Sequence, residues 1–225
     1  MTWQRILPGC NAWLYEYAFW WYKVNALAVM VDDGCLAIVS PPIGLSEADF
    51  SGIDAKGQVT ALIASCAGHD AGQSEWQRRY PDAIPYAPTN ALALLETFER
   101  PFVPLSTLRA SQVQFREFIG TKSHEMIAIL DQGERRVVYL GELLLDDSAV
   151  PDALTQWLTR EPHLRINPAY SRFLGADVHI VADILLEVLT GDPVIVLSHG
   201  PPLSLSDDTA HARSLLKSLS TSGRS

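Results

Sequence analysis

The sequence is short of cysteine, and the few cysteines present form no recognisable framework. Only three occur among 225 residues, at Cys10, Cys35 and Cys66, and no two of them have the CxxC spacing. An odd number of widely separated cysteines argues against a set of disulfide bridges and favours a reducing compartment. The sequence therefore predicts a cytoplasmic protein without disulfide bonds.

Long apolar runs are also missing. No run reaches the roughly 18 apolar residues that a membrane-spanning helix needs. The N-terminal stretch MTWQRILPGCNAWLYEY lacks the apolar core and small-residue cleavage site of a secretion signal. We therefore expect a soluble protein with no membrane partner.

Positive charge is scarce. The 17 Lys and Arg residues face 26 Asp and Glu residues, which gives a formal net charge of -9. Nucleic-acid-binding proteins display clustered Lys and Arg, so this balance argues against a nucleic-acid partner and favours a small molecule or a protein. A composition of 48% hydrophobic and 19% charged residues is typical of a globular protein, and we expect residues 1–225 to form one domain.

The first half of the sequence predicts mainly strands, followed by alternating strands and helices. Trp13 to Val24 predicts one strand with an aromatic face, which packs in the core or covers a pocket or dimer interface. The Asp-Asp-Gly turn between the predicted strands NALAVMV and CLAIVS predicts a hairpin, and Ser46 with Asp49 predicts a capped helix. The continuous apolar run VTALIAS predicts a buried strand. Residues 73–80 and 90–98 are each predicted to be helical.

The second half repeats this order. The segments VQFREFI, HEMIAIL and RRVVYLG predict strands, and PVIVLS predicts a further buried strand. Helices are predicted over residues 150–161, 176–191 and 206–219. The repeated order suggests two similar halves packed as one domain.

The residues with metal-binding chemistry lie where predicted strands begin or end. They are Cys66, His69, Asp70, His124, Glu142 and His199. Strand ends in α/β sheets are where loops aim side chains at a common point, and imidazole and carboxylate groups are ligands of zinc and similar metals. Each residue taken singly also has a simpler role: Asp70 could cap the helix that starts near Gly72, and Glu142 could cap the segment after it.

In chain order, these stretches resemble the metallo-β-lactamase-like hydrolase superfamily. SCAGHDAG, GTKSHEM, VVYLGELLL and VIVLSHGPPL stand where that superfamily has T-H-x-H-x-D-H-x-G, a later His, a Gly-Asp and a Gly-His-Gly. The stretch LIASCAGHDAGQSEWQRRYPDAIPYAP further resembles a branch in which the first motif is eroded. The resemblance implies an α/β (α+β) fold, the four-layer αββα sandwich.

The resemblance also implies a metal site with fewer ligands than the family pattern. Asp70 takes the position of the motif aspartate, Cys66 and Gly68 those of its first two histidines, and Ala71 that of its last. Glu142 takes the position of the bridging aspartate. One divalent metal (zinc, manganese or iron) is then expected, with Asp70, His124, Glu142 and His199 as ligands and His69 and Cys66 as further donors.

Two functions remain open at this point. The first is a mononuclear metal-dependent hydrolase of a small ester, thioester or lactone, in which metal-bound water is the nucleophile and Asp70 is a candidate base. The alternative is a catalytically inactive module without metal, which binds a small ligand or a protein. The aromatic N-terminal strand leaves a homodimer open, and the position of Cys66 near a helix start leaves a thiol function open.

Overall fold

A computed structural model describes residues 2–19, 22–118, 124–133, 135–146, 164–167, 177–190, 193–203 and 214. The chain divides into two compact units. Unit 1 consists of Met1–Glu117 and His124–Met126, and unit 2 of Phe118–Ser123 and Ile127–Ser225. Among the described residues, no helix is long and apolar enough to cross a membrane. The single domain expected from the sequence stays a prediction.

Unit 1 is built on a seven-stranded mixed sheet whose strands follow chain order. They are β1 (Gln4–Arg5), β2 (Ala12–Phe19), β3 (Tyr22–Asp32), β4 (Cys35–Val39), β5 (Gln58–Ile63), β6 (Ile84–Ala87) and β7 (Val103–Pro104). Strands β1 to β4 pair antiparallel, whereas β4 to β7 pair parallel. The carboxyl ends of β4, β5 and β6 therefore lie at one edge of the sheet. A further strand of this unit is β8 (Gln114–Glu117).

The hairpin predicted at Asp-Asp-Gly is confirmed. Asp32 pairs with Cys35, so Asp33 and Gly34 form a two-residue turn. Gly34 has φ +73°, a conformation that L residues with side chains rarely adopt.

The single aromatic strand predicted from Trp13 to Val24 is wrong. The chain reverses inside this segment, because β2 ends at Phe19, which pairs with Tyr22 of β3. Trp13, Tyr15 and Tyr17 do share one buried face, whereas Trp21 lies outside the described residues. Side chains alternate between the two faces in both strands of a hairpin, so the alternation of aromatic residues continues through the turn. The aromatic pattern therefore does not show where the chain reverses.

The first helix, α1 (Glu47–Asp54), begins at the predicted capping box. The Asp49 backbone N–H donates to Ser46 Oγ at 3.3 Å, and the Ser46 backbone N–H donates to Asp49 Oδ2 at 3.0 Å. The hydrogen bond from the Ser46 side chain lowers the pKa of the buried Asp49 carboxyl. The Tyr15 hydroxyl also hydrogen-bonds to Asp49; burial of Tyr15, with the Asp49 charge as a second cause, raises the pKa of Tyr15 to about 12.

This raised pKa predicts a loss of stability in alkali. The folded-state pKa of Tyr15 lies above its ordinary value, so the protonated hydroxyl stabilises the folded state. This contribution to the free energy of unfolding is complete below about pH 10 and is lost as the pH rises towards 12. We expect the free energy of unfolding, measured with urea at pH 9, 10, 11 and 12, to fall less steeply in Tyr15→Phe than in the native chain. Parallel pH profiles for the two proteins would contradict the prediction.

The second helix, α2 (Gln73–Arg79), lies within the predicted residues 73–80 and carries the centre of the unit 1 core. Trp76 is fully buried, with its ring centroid 5.2 Å from that of Phe50 and 5.4 Å from that of Tyr80. Its indole Nε1–H donates to the Pro42 carbonyl oxygen at 2.8 Å. Trp76 thereby fastens α2 to the Pro41-Pro42 segment that follows β4.

The helix predicted over residues 90–98 is absent; the structure has turns there. The Ala91 N–H donates to the Pro88 carbonyl oxygen at 2.8 Å, and the Leu94 N–H to that of Ala91 at 2.9 Å. Within the segment only Ala91 is buried, and Leu94 is 57% exposed. A helix in this position would have no buried apolar face, and a short helix without tertiary packing is unstable.

Unit 2 contains the second sheet and its own core. The strands that unit 2 contributes to this sheet are β9 (Met126–Gln132, in unit 2 from Ile127), β10 (Arg135–Gly141) and β13 (Pro193–Leu197). Two further strands of the unit, β11 (Leu144–Asp146) and β12 (Leu164–Ile166), form a separate antiparallel pair. Strand β10 pairs antiparallel with β9 and parallel with β13. The third helix, α3 (Val178–Val188), lies within the predicted 176–191, is capped by Asp177 and buries Val181 and Leu185 in the core. The helices predicted over 150–161 and 206–219 lie outside the described residues, apart from Ser214.

Candidate functional site

In unit 2, the parallel pairing of β10 with β13 brings Glu142 and His199 together. Tyr139 pairs with Val196, the register then shifts, and Gly141 pairs with Leu197. Gly141 makes the shift with φ +56°, and the Ser198 N–H donates to its carbonyl oxygen at 2.9 Å. Glu142 and His199 follow directly, and His199 Nε2 lies 3.3 Å from Glu142 Oε1.

The Glu142–His199 pair is partly shielded from water. The His199 side chain is 14% exposed and the Glu142 side chain 32%. An ionised carboxylate only accepts hydrogen bonds, so this contact requires a proton on His199 Nε2. In a neutral imidazole, Nδ1 then carries the lone pair. The contact thus joins a carboxylate and an imidazole, two groups that bind metals and transfer protons.

In unit 1, three of the predicted residues lie in the turn that connects β5 to α2. The His69 N–H donates to the Cys66 carbonyl oxygen at 3.2 Å, and the Gly68 N–H lies 3.4 Å from Cys66 Sγ. Cys66 has a partly buried thiol that is not in a disulfide bond, and His69 is buried. The Gln73 N–H donates to the Asp70 carbonyl oxygen at 2.9 Å, which closes the turn onto the helix.

Asp70 does not cap α2. The capping residue is Gly72, which makes no side-chain capping bond, so the simpler role considered for Asp70 is wrong. Burial raises the pKa of the Asp70 carboxyl, and the negative charge of Glu96 raises it further. Because burial and a like charge both disfavour the ionised carboxylate, a cation bound beside it would be stabilising.

His124 is connected to the same turn through the backbone. The Met126 N–H, two residues after His124, donates to the carbonyl oxygen of Ser65, which precedes Cys66. His124 Nδ1 is buried, and no hydrogen-bond partner for it occurs among the described residues. A buried polar atom without a partner is costly, and a metal ion is one group that would satisfy it.

Sequence reasoning missed three of the buried polar residues of unit 1, which lie next to strand ends. They are Glu125, Ser40 and Ser65. The Ser40 and Ser65 hydroxyls lie 2.8 Å apart, and a signal for them existed, since two predicted strands, CLAIVS and VTALIAS, both end in Ser. Glu125 had only a weak signal, a charge next to the apolar run MIAIL.

The predicted donors suit a divalent metal in chemical kind. Thiolate, imidazole and carboxylate are its ordinary ligands, and both the unsatisfied His124 Nδ1 and the half-buried Asp70 carboxyl fit a cation. Neither unit, in the part of the chain that the structure describes, gathers three or more His, Cys, Asp or Glu side chains into a group that could hold a metal ion. The ligand set inferred from the sequence stays a prediction.

Comparison with models of protein families gave no match, and neither did comparison with curated protein sequences. Solved structures do match over nearly the whole chain. The DIM-1 metallo-β-lactamase is similar at 15% identity over 96% of this chain and 97% of that chain, with a TM-score of 0.61. TMB-1 is similar at 14% identity over 98% of both chains, with a TM-score of 0.62. A metallo-β-lactamase from Pontibacter korlensis is similar at 15% identity over 96% of this chain and 98% of that chain, with a TM-score of 0.62.

Identities this low establish architecture and leave activity open. The mixed α+β composition agrees with them, since the described residues form two main sheets and few helices. The fold class predicted from the sequence is therefore confirmed: the chain has the metallo-β-lactamase fold.

Proposed function

We propose that this chain is a divergent metal-dependent hydrolase that uses one divalent metal ion to cleave a small ester, thioester or lactone. The observation that carries the proposal is the Glu142–His199 pair, with 3.3 Å between Nε2 and Oε1 at the carboxyl ends of two adjacent parallel strands. Ligands of α/β proteins gather at such strand ends. The fold supports the same class of reaction, because the similar structures are metallo-β-lactamases.

The proposed ligands are Asp70, His124, Glu142 and His199, with His69 and Cys66 as further donors. Zinc, manganese or iron would suit this set, and a bound metal would supply an acidified water as the nucleophile. Glu142 holds His199 through Nε2, and the half-buried Asp70 carboxyl offers a proton acceptor in the Cys66–Asp70 turn. A small-molecule substrate, a cytoplasmic location and a homodimer belong to the same proposal.

The second candidate is an inactive module on the same fold, which binds a small ligand or a protein without metal. The Glu142–His199 contact also favours this inactive module. His199 Nε2 and Glu142 Oε1 already satisfy each other, and a metal bound through Nε2 would have to displace this hydrogen bond.

Metal content separates the two candidates. We expect protein purified without chelator or nickel resin to hold about one zinc, manganese or iron per chain. The proposed ligands are enough for one catalytic metal, which takes three protein ligands and keeps one position open for water. His199→Ala should lose this metal in elemental mass spectrometry. The matched control is His179→Ala on α3, which removes a half-buried histidine of the same unit outside the proposed ligand set and should retain the metal.

Absence of metal even after soaking with zinc, manganese and iron would contradict the hydrolase and support the inactive module. Equal metal in all three proteins would place the metal elsewhere and remove His199 from the ligand set.

A further inference from the structure

Ser65 joins the parts of unit 1 that carry the candidate residues. Its hydroxyl lies 2.8 Å from that of Ser40 at the end of β4, and its carbonyl oxygen accepts the Met126 N–H at 3.1 Å. Cys66 follows directly, at the start of the turn that contains His69 and Asp70. Ser65 is fully buried, so water does not compete for these bonds. One residue thus contacts both the turn and the His124 segment.

Ser40, one partner in this contact, has an unusual backbone conformation. Its φ is +52°, and in the described part of the chain no other residue apart from glycine has a positive φ. Its N–H donates to the Ile63 carbonyl oxygen at 2.8 Å, and its side chain is buried. Non-glycine residues in this region are strained, and such strain persists where the surroundings enforce it, commonly at functional sites.

The hydroxyl pair is not required for pairing the strands. Strand β5 is already tied to both neighbours by backbone bonds at its end, through Ser40 N–H to Ile63 and through Ala64 N–H to the Tyr86 carbonyl oxygen at 3.0 Å. The two hydroxyls act one residue further on, where the chain leaves the sheet and enters the turn. The contact therefore lies at the point where the direction of the turn is set.

We infer that Ser40 and Ser65 are positioning residues, which fix the Cys66–Asp70 turn relative to the His124–Met126 segment, the two parts of unit 1 that carry proposed metal donors. The inference rests on the proposed function for its purpose, but the positioning is measurable without metal. A hydroxyl pair that only stabilises the fold would leave the turn as accessible in folded variants as in the native chain.

The test uses Ser40→Gly and Ser65→Ala. Glycine adopts a positive φ without strain, so Ser40→Gly removes the hydroxyl while relieving the backbone, and we expect its unfolding midpoint in urea to stay close to the native value. The matched control is Thr60→Val on β5, the strand that precedes Ser65, which removes the hydroxyl bond from Thr60 Oγ1 to the Leu36 carbonyl oxygen away from the turn.

Two readouts are measured on the folded full chain. In metal-free protein, alkylation of Cys66 by iodoacetamide, followed by peptide mass spectrometry with the buried Cys10 as internal reference, should be at least about fivefold faster in Ser40→Gly and Ser65→Ala and unchanged in Thr60→Val. In the metal-loaded chain, chelator competition should show at least about tenfold weaker zinc binding in the first two variants only, in the range that loss of a supporting group costs a metal site.

The outcomes separate the inference from the proposed function. Native protein that binds none of zinc, manganese and iron overturns the hydrolase, while faster alkylation in the two variants still supports the positioning. Native protein that binds zinc, with unchanged alkylation and affinity in both variants, overturns the positioning and leaves the hydrolase standing. If Ser65→Ala does not fold, Ser40→Gly alone decides.

Discussion

Replacing Gly72 with alanine should destabilise the protein by about 3 kcal/mol, at the upper end of the usual cost of overpacking. A Cβ atom at this position would overlap the Pro41 carbonyl oxygen and would lie 2.6 Å from that of Pro42. Both neighbours are backbone atoms, so no side-chain rotation relieves the contact, and α2 must move away from the Pro41-Pro42 segment. We expect urea denaturation to show the loss as a lower midpoint at an unchanged slope.

Gly68→Ala is the matched control for this prediction. It lies in the same turn, but its Cβ would meet only Cys66 Sγ, at 4.0 Å, which is an ordinary contact. We expect a change of no more than about 0.5 kcal/mol. If both variants lose equal stability, the turn as a whole is intolerant of side chains and the close approach at Gly72 is not the cause.

The second large effect is expected for Trp76→Ala, which should cost about 4 kcal/mol of unfolding free energy. Trp76 is the largest fully buried side chain among the described residues, and it contacts Phe50 and Tyr80 through its ring. The substitution leaves a cavity at the centre of the unit 1 core and also removes the bond to Pro42. Urea and thermal unfolding should both report the loss.

Trp76→Phe separates the two contributions. It retains an aromatic ring for Phe50 and Tyr80 but lacks the N–H that donates to the Pro42 carbonyl oxygen at 2.8 Å. Loss of that bond, which leaves a buried acceptor unsatisfied, is expected to cost about 1–3 kcal/mol, less than the full truncation. A Phe variant as unstable as the Ala variant would show that the hydrogen bond outweighs the ring packing.

Local sequence patterns were sufficient wherever burial alone determines the structure. VTALIAS and PVIVLS became β5 and β13 because continuous apolar runs fit strands covered on both faces. The turn at Gly34 and the cap at Ser46 were predictable because each depends on a few adjacent residues. The resemblance of widely spaced motifs supplied the fold, which solved structures at 14–15% identity confirm.

Features that depend on distant residues were not predictable in this way. The segment 90–98 has helix-forming residues but no buried face, a property that only the folded sheet defines. The chain reversal between Phe19 and Tyr22 leaves no mark on an alternating aromatic pattern. Both errors come from judging a segment without knowing what covers it.

The candidate site likewise has features that the sequence predicted and features that only the structure reveals. The positions of Glu142 and His199 after two buried strands were visible in the sequence, but their contact depends on the register shift at Gly141. The contact between Ser40 and Ser65 joins strand ends 25 positions apart, and the partial burial of Asp70 depends on its surroundings in unit 1. Sequence order therefore gave the candidates, whereas their environments required the structure.

The separation of Glu142 and His199 along the chain, 57 positions, also sets the order in which the protein acquires its parts during folding. The β3–β4 hairpin closes over a two-residue turn, and hairpins form within about 1–10 μs. Parallel pairing of β10 with β13 must first close a long loop, which slows its formation, and during synthesis it waits until residue 199 has emerged. A refolding chain can thus regain most of its sheet signal while the acid–imidazole pair is still unmade, so recovery of secondary structure is a poor measure of recovery of the site.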